Sequence, residues 1–291
     1  MVTGSNGMLG KEIVKTLLKR TSSRIHGVDI KENVDPIPGL IEHVIDLTDI
    51  SLLNDAISII KPDIIIHTAA IVNLKSCEDD FGLARRLHVD VSRVLAKTNA
   101  NIIYISTDSI FNGSKGYYNE VDIPDPLNNY AKTKYLGELA IQANSQNYII
   151  IRTNIFGFNL PLKSSLAEWG LKSLANSEII HGYTDVIFNP LYTKHLAIGI
   201  WQLIELNFIG IINIAGTTPI SKYEFLRYLA KFAGYDNNLI RRSISKEING
   251  AAPRPLKTVL NTAKASNLIL LPSTQSGIEQ LAIDYKKVNH E

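Results

Sequence analysis

Tyr130-Ala131-Lys132-Thr133-Lys134 sets a phenol and an ammonium four residues apart, a spacing that puts both on one face of a helix. A free tyrosine, with a pKa of about 10, is a reluctant acid-base group at neutral pH. A neighbouring cation stabilises the phenolate and brings that pKa toward the working range. Such a pair often arises by chance on an exposed helix. Here, however, it follows an apolar run, Asn101-Ile102-Ile103-Tyr104-Ile105-Ser106, that ends in Thr107, with Tyr130 a further 23 positions on. The three residues form a unit suited to carbonyl chemistry. Thr107 can hydrogen-bond the reacting oxygen, Tyr130 can protonate it, and Lys134 can tune the phenol.

A second chemically marked segment opens the chain. Gly4-Ser5-Asn6-Gly7-Met8-Leu9-Gly10 is a G-x-x-G-x-x-G turn between a strand and an amphipathic helix. Its glycines allow the backbone of Gly4, Asn6, Gly7, Met8 and Leu9 to approach a pyrophosphate closely, and the helix N-terminus adds the positive end of its dipole. Asp29 ends the next strand pattern, 19 positions after Gly10, where a carboxylate can bond the adenosine ribose hydroxyls. It would repel a 2′-phosphate and so favours NADH, with Lys31 softening the preference. Asp46 and Leu47 are placed to contact adenine, and the small residues of Thr68-Ala69-Ala70 let a cofactor lie against backbone. Tyr130 and Lys134 would hold the nicotinamide ribose. The expected cofactor is NADPH or NADH. A glycine turn without ligand, and an aspartate that merely ends a strand, are the bland alternatives.

The elements that must position these groups alternate in the first half. Strand patterns at Arg24–Asp29, Leu40–Ile45, Asp63–His67, Asn101–Ser106 and Tyr148–Arg152 interleave with helical ones at Asp49–Ile60, Asp79–Thr98 and Tyr130–Ala143. This is the signature of an α/β fold, a Rossmann-type doubly wound parallel sheet. The first strand is expected to be short, as though the start were clipped. After Arg152 the alternation loosens into helices near Ser164–Ala175, Lys194–Leu206, Lys222–Phe232 and Gln275–Tyr285, with a strand at Gly210–Ile214. The expectation is an NAD(P)-binding core over 1–155, then a mixed region, 156–291, that returns a strand to the sheet and builds a small, mainly helical substrate lobe.

Composition narrows the classes. Thirty Lys and Arg against 28 Asp and Glu give a net charge of +2, so no global field calls for nucleic acid or an acidic membrane. No segment approaches the roughly 18 uninterrupted apolar residues of a membrane span. The single cysteine, Cys77, excludes an internal disulfide and a Cys-rich metal framework. A cytoplasmic enzyme with a small-molecule substrate is expected, with room for a homodimer. His181 and His195 lack carboxylate partners at ligand spacing, so no metal is expected. His67 reads as a packed residue near the cofactor. Tyr223, Phe225 and Tyr228 read as the apolar face of a helix. Arg241, Arg242 and Lys246 form a basic cluster, either solvated or facing a diphosphate.

With these residues in place the chain resembles the extended short-chain dehydrogenases and, within them, the dTDP-4-dehydrorhamnose reductase family. The resemblance is carried by the glycine turn, by Ser106-Thr107-Asp108 with Phe111 and Gly113, and by Tyr118, Glu120, Pro126, Asn128, Tyr130, Lys134, Gly137 and Glu138. Arg152-Thr153 and Arg254-Pro255 with Leu260-Asn261-Thr262 extend it into the lobe. It implies NAD(P)H-dependent reduction of the C4 ketone of dTDP-4-dehydro-L-rhamnose, with Asp108, Ser109, Asn154 and Arg254 on the substrate side. Ser109 stands where the family usually has tyrosine, and His88 where a helix asparagine is common. Asn154-Ile155-Phe156-Gly157 replaces a stretch that usually carries a pocket tryptophan. The sugar could therefore be another 4-keto-6-deoxy nucleotide sugar. An epimerase or dehydratase of the same superfamily is the alternative enzyme, although a dehydratase typically carries a second acid beside its threonine. The reductase fold also serves as a non-catalytic NAD(P)-binding regulatory subunit.

Overall fold

In the computed structural model, which describes residues 1–245 and 251–289, the chain begins with a strand of two residues, β1 (Val2–Thr3). Gly4, at φ +69°, turns it into α1 (Met8–Arg20). Then follow β2 (Ile25–Asp29), β3 (Leu40–Val44), α2 (Ile50–Ile60) and β4 (Ile64–His67). Asp49 caps α2 by accepting from Ser51 N and Leu52 N, as its position before the apolar run predicts.

The helix expected over Asp79–Thr98 is instead broken. Its pieces are α3 (Leu74–Asp79), α4 (Phe81–Arg85), a π-helical turn (Arg86–Asp90) and α5 (Val91–Ala96). Asp80 leaves helical geometry to cap Leu83 N, which interrupts the first turn. The π turn is the second break, and it falls at His88.

Next come β5 (Asn101–Ile105), α6 (Asn129–Asn144) and β6 (Tyr148–Arg152). The second half adds β7 (Ile155–Phe156), α7 (Leu166–Ala175), β8 (Ile180–Tyr183), β9 (Ile187–Phe188), β10 (Leu191–Tyr192) and α8 (Thr193–Glu205). It ends with β11 (Gly210–Asn213), β12 (Ile220–Ser221), α9 (Lys222–Ala233), β13 (Ile240–Ser243), α10 (Ala263–Ser266) and α11 (Thr274–Asn289).

Seven strands form one parallel sheet in the order β11-β6-β5-β4-β1-β2-β3. Its residues alternate between two cores, as a pleated strand with helices on both faces requires. Ile66, Ile103, Ile149 and Ile151 join Ile13, Leu17, Leu196 and Ile200 of α1 and α8. Ile65, Ile102, Tyr104 and Ile150 join Leu53, Val91, Leu95 and Ile141 of α2, α5 and α6. A third core holds Phe156, Leu171, Phe225, Leu229 and Leu281 and organises the lobe. There three short pairs, β10–β7, β12–β9 and β13–β8, stitch the helices together. Two-residue strands carry no period that a sequence pattern can reveal.

Because every pairing in the large sheet is parallel, the segments after β1, β2, β4, β5 and β6 emerge along one edge. That edge is where sheets of this kind bind ligands. No helix among the described residues is long and apolar enough to cross a membrane.

Candidate active site

The glycine turn starts at that edge. Gly4 N donates to Val28 O at 2.8 Å, which ties the turn to β2. A Cβ on Gly4 would stand 2.8 Å from Ala69 N, and one on Gly10 would collide with Gly4 O, so both positions require glycine. Gly7 precedes α1 without any side-chain cap. The first-turn N–H groups, those of Met8 and Leu9 among them, therefore stay available to an anion at the positive end of the helix.

Asp29 accepts from Asn6 N at 3.0 Å, and the Asn6 amide donates to Lys31 O at 2.7 Å. Asp29, Lys31 and Asn6 border a small cavity with Glu42 and His43. Asp46 accepts from Thr48 N and Thr48 Oγ1, so part of its capacity is spent on the turn into α2, while Leu47 is buried. Thr68 Oγ1 donates to Thr3 O at 2.7 Å, which holds Thr68-Ala69-Ala70 against the glycine turn. The uncapped helix, the close backbone and the ribose-height carboxylate fit a nicotinamide dinucleotide, with the pyrophosphate at α1 and the adenosine at Asp29.

Thr107 leaves β5 buried and donates to Asp108 Oδ1 at 3.2 Å. It is a neighbour of the Tyr130 phenol, whose pKa it lowers. Tyr130 sits in the first turn of α6, which Asn128 caps by accepting from Ala131 N at 2.9 Å. Burial pushes the phenol up to about 12, Thr107 opposes this, and Asp108 and Cys77 reinforce it.

Lys134 shares the helix face with Tyr130, but its ammonium is turned inward. Nζ donates to Ile105 O at 2.6 Å and lies 4.0 Å from the centre of the Tyr104 ring. Burial brings it down to about 7, against the pull of Glu138. The i,i+4 spacing predicts a lysine that lowers the phenol. In this geometry burial dominates both groups and each is driven toward its neutral form.

Asp108 is the hub of a hydrogen-bonded cluster. It is fully buried and accepts from Asn154 Nδ2 at 2.8 Å and Ser109 Oγ at 3.3 Å. Burial raises its carboxyl above the usual range, and hydrogen bonds from Thr258, Asn154, Thr107 and Ser109 offset part of the rise. Asp108, Ser109 and Asn154 thus form one bonded cluster beside Thr107. Arg254 is exposed, and the preceding Pro253 carbonyl accepts from Asn128 Nδ2 at 2.9 Å. The lobe is thereby pinned to the start of α6.

A family described as the RmlD substrate binding domain matches residues 1–286. The chain belongs to that family. Among its relatives, the probable low-salt glycan biosynthesis reductase Agl14 of Haloferax volcanii is 24% identical over 90% of this chain and 89% of that protein. Methionine adenosyltransferase 2 subunit beta of Xenopus tropicalis is 28% identical over 92% of this chain and 81% of its own. The solved dTDP-4-dehydrorhamnose reductase from Bacillus anthracis, in complex with NADP, shares 25% identity and a TM-score of 0.84 over 97% of this chain and 98% of that one.

Two further features of this RmlD-family chain adjoin these residues. Lys222, the first residue of α9, is partly buried; burial and Arg254 lower its pKa while Asp108 raises it. Its only sequence signal was the capping pair Ser221 and Glu224, which marks a helix start. The second is a buried network at the end of β5. Arg152 pairs with Glu138 at 2.8 Å, Ser106 donates to the same carboxylate, and Arg152 also donates to Glu120 O.

Other residues settle more simply. Cys77 is fully buried, donates to Ile71 O at 3.4 Å, and has its thiol pushed up to about 11 by burial, which leaves it unreactive. Phe225 is in the lobe core, Tyr223 and Tyr228 pack against it, and Tyr223 also lies against Arg242 at 5.3 Å. Arg241 and Arg242 lie in β13, and Lys246 falls outside the described residues.

Proposed function

We propose that this chain reduces the C4 ketone of a nucleotide-linked 4-keto-6-deoxy sugar, with dTDP-4-dehydro-L-rhamnose to dTDP-L-rhamnose as the best-fitting conversion. The protein is an NAD(P)-dependent sugar-nucleotide oxidoreductase in this reading. The observation that carries it is the placement of half-buried Tyr130 with buried Thr107, Asp108 and Lys134, at the sheet edge that also holds the glycine turn.

A bound nicotinamide supplies hydride to the carbonyl carbon. The side chains handle the oxygen. Thr107 holds it by hydrogen bond, and Tyr130, kept protonated by its burial, donates its proton as negative charge develops there. Lys134, its Nζ held on Ile105 O, then lies one helical turn along α6 from a new phenolate. Its ammonium offsets that charge, and a proton on Nζ is already labile near neutral pH. Asp108, Ser109 and Asn154 orient the sugar hydroxyls, while Arg254 and Lys222 meet the substrate diphosphate.

Asp108 is the only acid in the Thr107-Asp108-Ser109 segment, which disfavours dehydration. The kinship with methionine adenosyltransferase 2 subunit beta keeps a regulatory role as the second reading, and the retained trio argues for chemistry. The test is a panel of NDP-4-keto-6-deoxy sugars followed at the nicotinamide absorbance band. Cofactor oxidation is expected only when such a sugar is present, and Tyr130→Phe should lower kcat by about 10²- to 10⁴-fold. Unchanged turnover in that variant removes Tyr130 as the donor. Cofactor binding without oxidation of it by any sugar hands the protein to the regulatory reading.

A further inference from the structure

His88 lies outside the catalytic trio, fully buried, at the centre of the π turn. Both of its ring nitrogens are engaged. Nε2 accepts from Ile71 N at 2.9 Å, so the proton must reside on Nδ1, which meets Thr133 Oγ1 at 2.8 Å. Thr133 in turn donates to the carbonyls of Asn129, at 2.8 Å, and Tyr130, at 3.0 Å. The result is a chain of hydrogen bonds with one direction, from the segment after β4, through the imidazole, into the first turn of α6.

The same imidazole stands edge-on to the Tyr130 ring, with centroids 6.0 Å apart and planes at 83°. Its own backbone is fixed as well. The His88 carbonyl accepts from Ser92 Oγ at 2.7 Å, and it lies where a side chain on Gly137 would have to go. Burial and the charge of Lys134 bring the ring down to about 2, so it stays neutral and keeps one tautomer.

We propose that His88 is a positioning residue, which sets the ring of Tyr130 against the Thr68-Ala69-Ala70-Ile71 segment and so fixes the proton donor relative to the bound nicotinamide. The meaning of this role rests on the ketoreductase reading, while the linkage rests on the hydrogen bonds alone. Imidazole is the side chain that spans both partners. An asparagine is shorter and can satisfy Ile71 N or Thr133 Oγ1, not both. The π turn fits the same logic, because the widened turn carries the ring to that place in the wall.

The test compares wild type with His88→Asn and with Thr133→Val, which keeps the shape at residue 133 and removes the acceptor for Nδ1–H. A displaced donor slows the chemical step, since a misplacement of about 1 Å can cost roughly 10²-fold. In both variants kcat should fall by about tenfold or more, the KM for the sugar should stay close to the wild-type value, and NADH deuterated at the transferred position should give a larger isotope effect on kcat. Loss of structure alone would lower the active fraction and leave the isotope effect in place.

A second readout needs no turnover. Protein labelled with 3-fluorotyrosine gives a fluorine resonance for Tyr130, assigned by its absence in Tyr130→Phe, and that signal should shift or broaden in both variants. The proposal falls if folded His88→Asn and Thr133→Val keep the wild-type kcat, isotope effect and Tyr130 resonance. If wild type reduces no nucleotide sugar, the ketoreductase reading fails and the fluorine signal alone decides the role of His88.

Discussion

Lys134 releases its proton near pH 7 in the folded chain, against an ordinary value of 10.5. Between those values the unfolded chain binds the extra proton, so folding stability should rise with pH across that window. Lys134→Met removes the group. Denaturant titrations at stepped pH should show the wild type gaining on the variant from about pH 7 to about pH 10.5. A difference that stays flat across the window would show that the amine is not desolvated in the native state. That Thr107 ends a strand and that Tyr130 and Lys134 share a face of the next long helix was legible in sequence. Its wiring was not legible: i,i+4 spacing fixes a shared face, and only the Ile105 carbonyl fixes where the ammonium points.

The elements show a similar division. Strands β4 to β6 announce themselves as continuous apolar runs, and helices α1 and α2 because apolar residues recur at the period their faces bury. The region from Leu74 to Ala96 does not, because Asp80 and the π turn break a helix whose apolar spacing looks continuous. Four of the lobe's strands have only two residues and are too short to alternate. Gly137 was noted only through a resemblance, and the structure supplies its reason. It lets α6 close onto the Tyr104 hydroxyl and the His88 carbonyl. Gly137→Ala gains helix propensity yet forces these apart, and overpacking of this kind costs about 1–3 kcal/mol. A lower melting temperature together with reduced kcat is the expected outcome, and a stabilised, fully active variant would contradict the close approach.

At the scale of the whole molecule, the sheet edge bearing the glycine turn and the C-terminal lobe are parts of one weave. Asn128 holds Pro253 O, and Asn189 holds both Gly216 O and Leu260 O, at 3.0 and 2.9 Å. The Arg152–Glu138 pair, nearly inaccessible on both sides, joins β6 to α6, and Glu120 accepts from Asn213 N of β11. Lobe and site are thus braced by contacts far apart in sequence, which explains why a reading by local period recovers the sheet better than the cleft.

The place of β11 carries a practical consequence. It crosses over from beyond the first lobe segments to shield the outer side of β6, register Ile149 with Gly210 through Arg152 with Asn213. A gene fragment ending at residue 155 would leave Tyr148-Ile149-Ile150-Ile151-Arg152 as an open, apolar edge, which is a template for intermolecular strand addition. Such a fragment should express into inclusion bodies or form concentration-dependent aggregates by light scattering, while a soluble monomer would show that β6 tolerates exposure. A circular permutant that breaks the chain at a surface loop and keeps β11 in cis avoids the hazard, and is the safer starting point for engineering this scaffold.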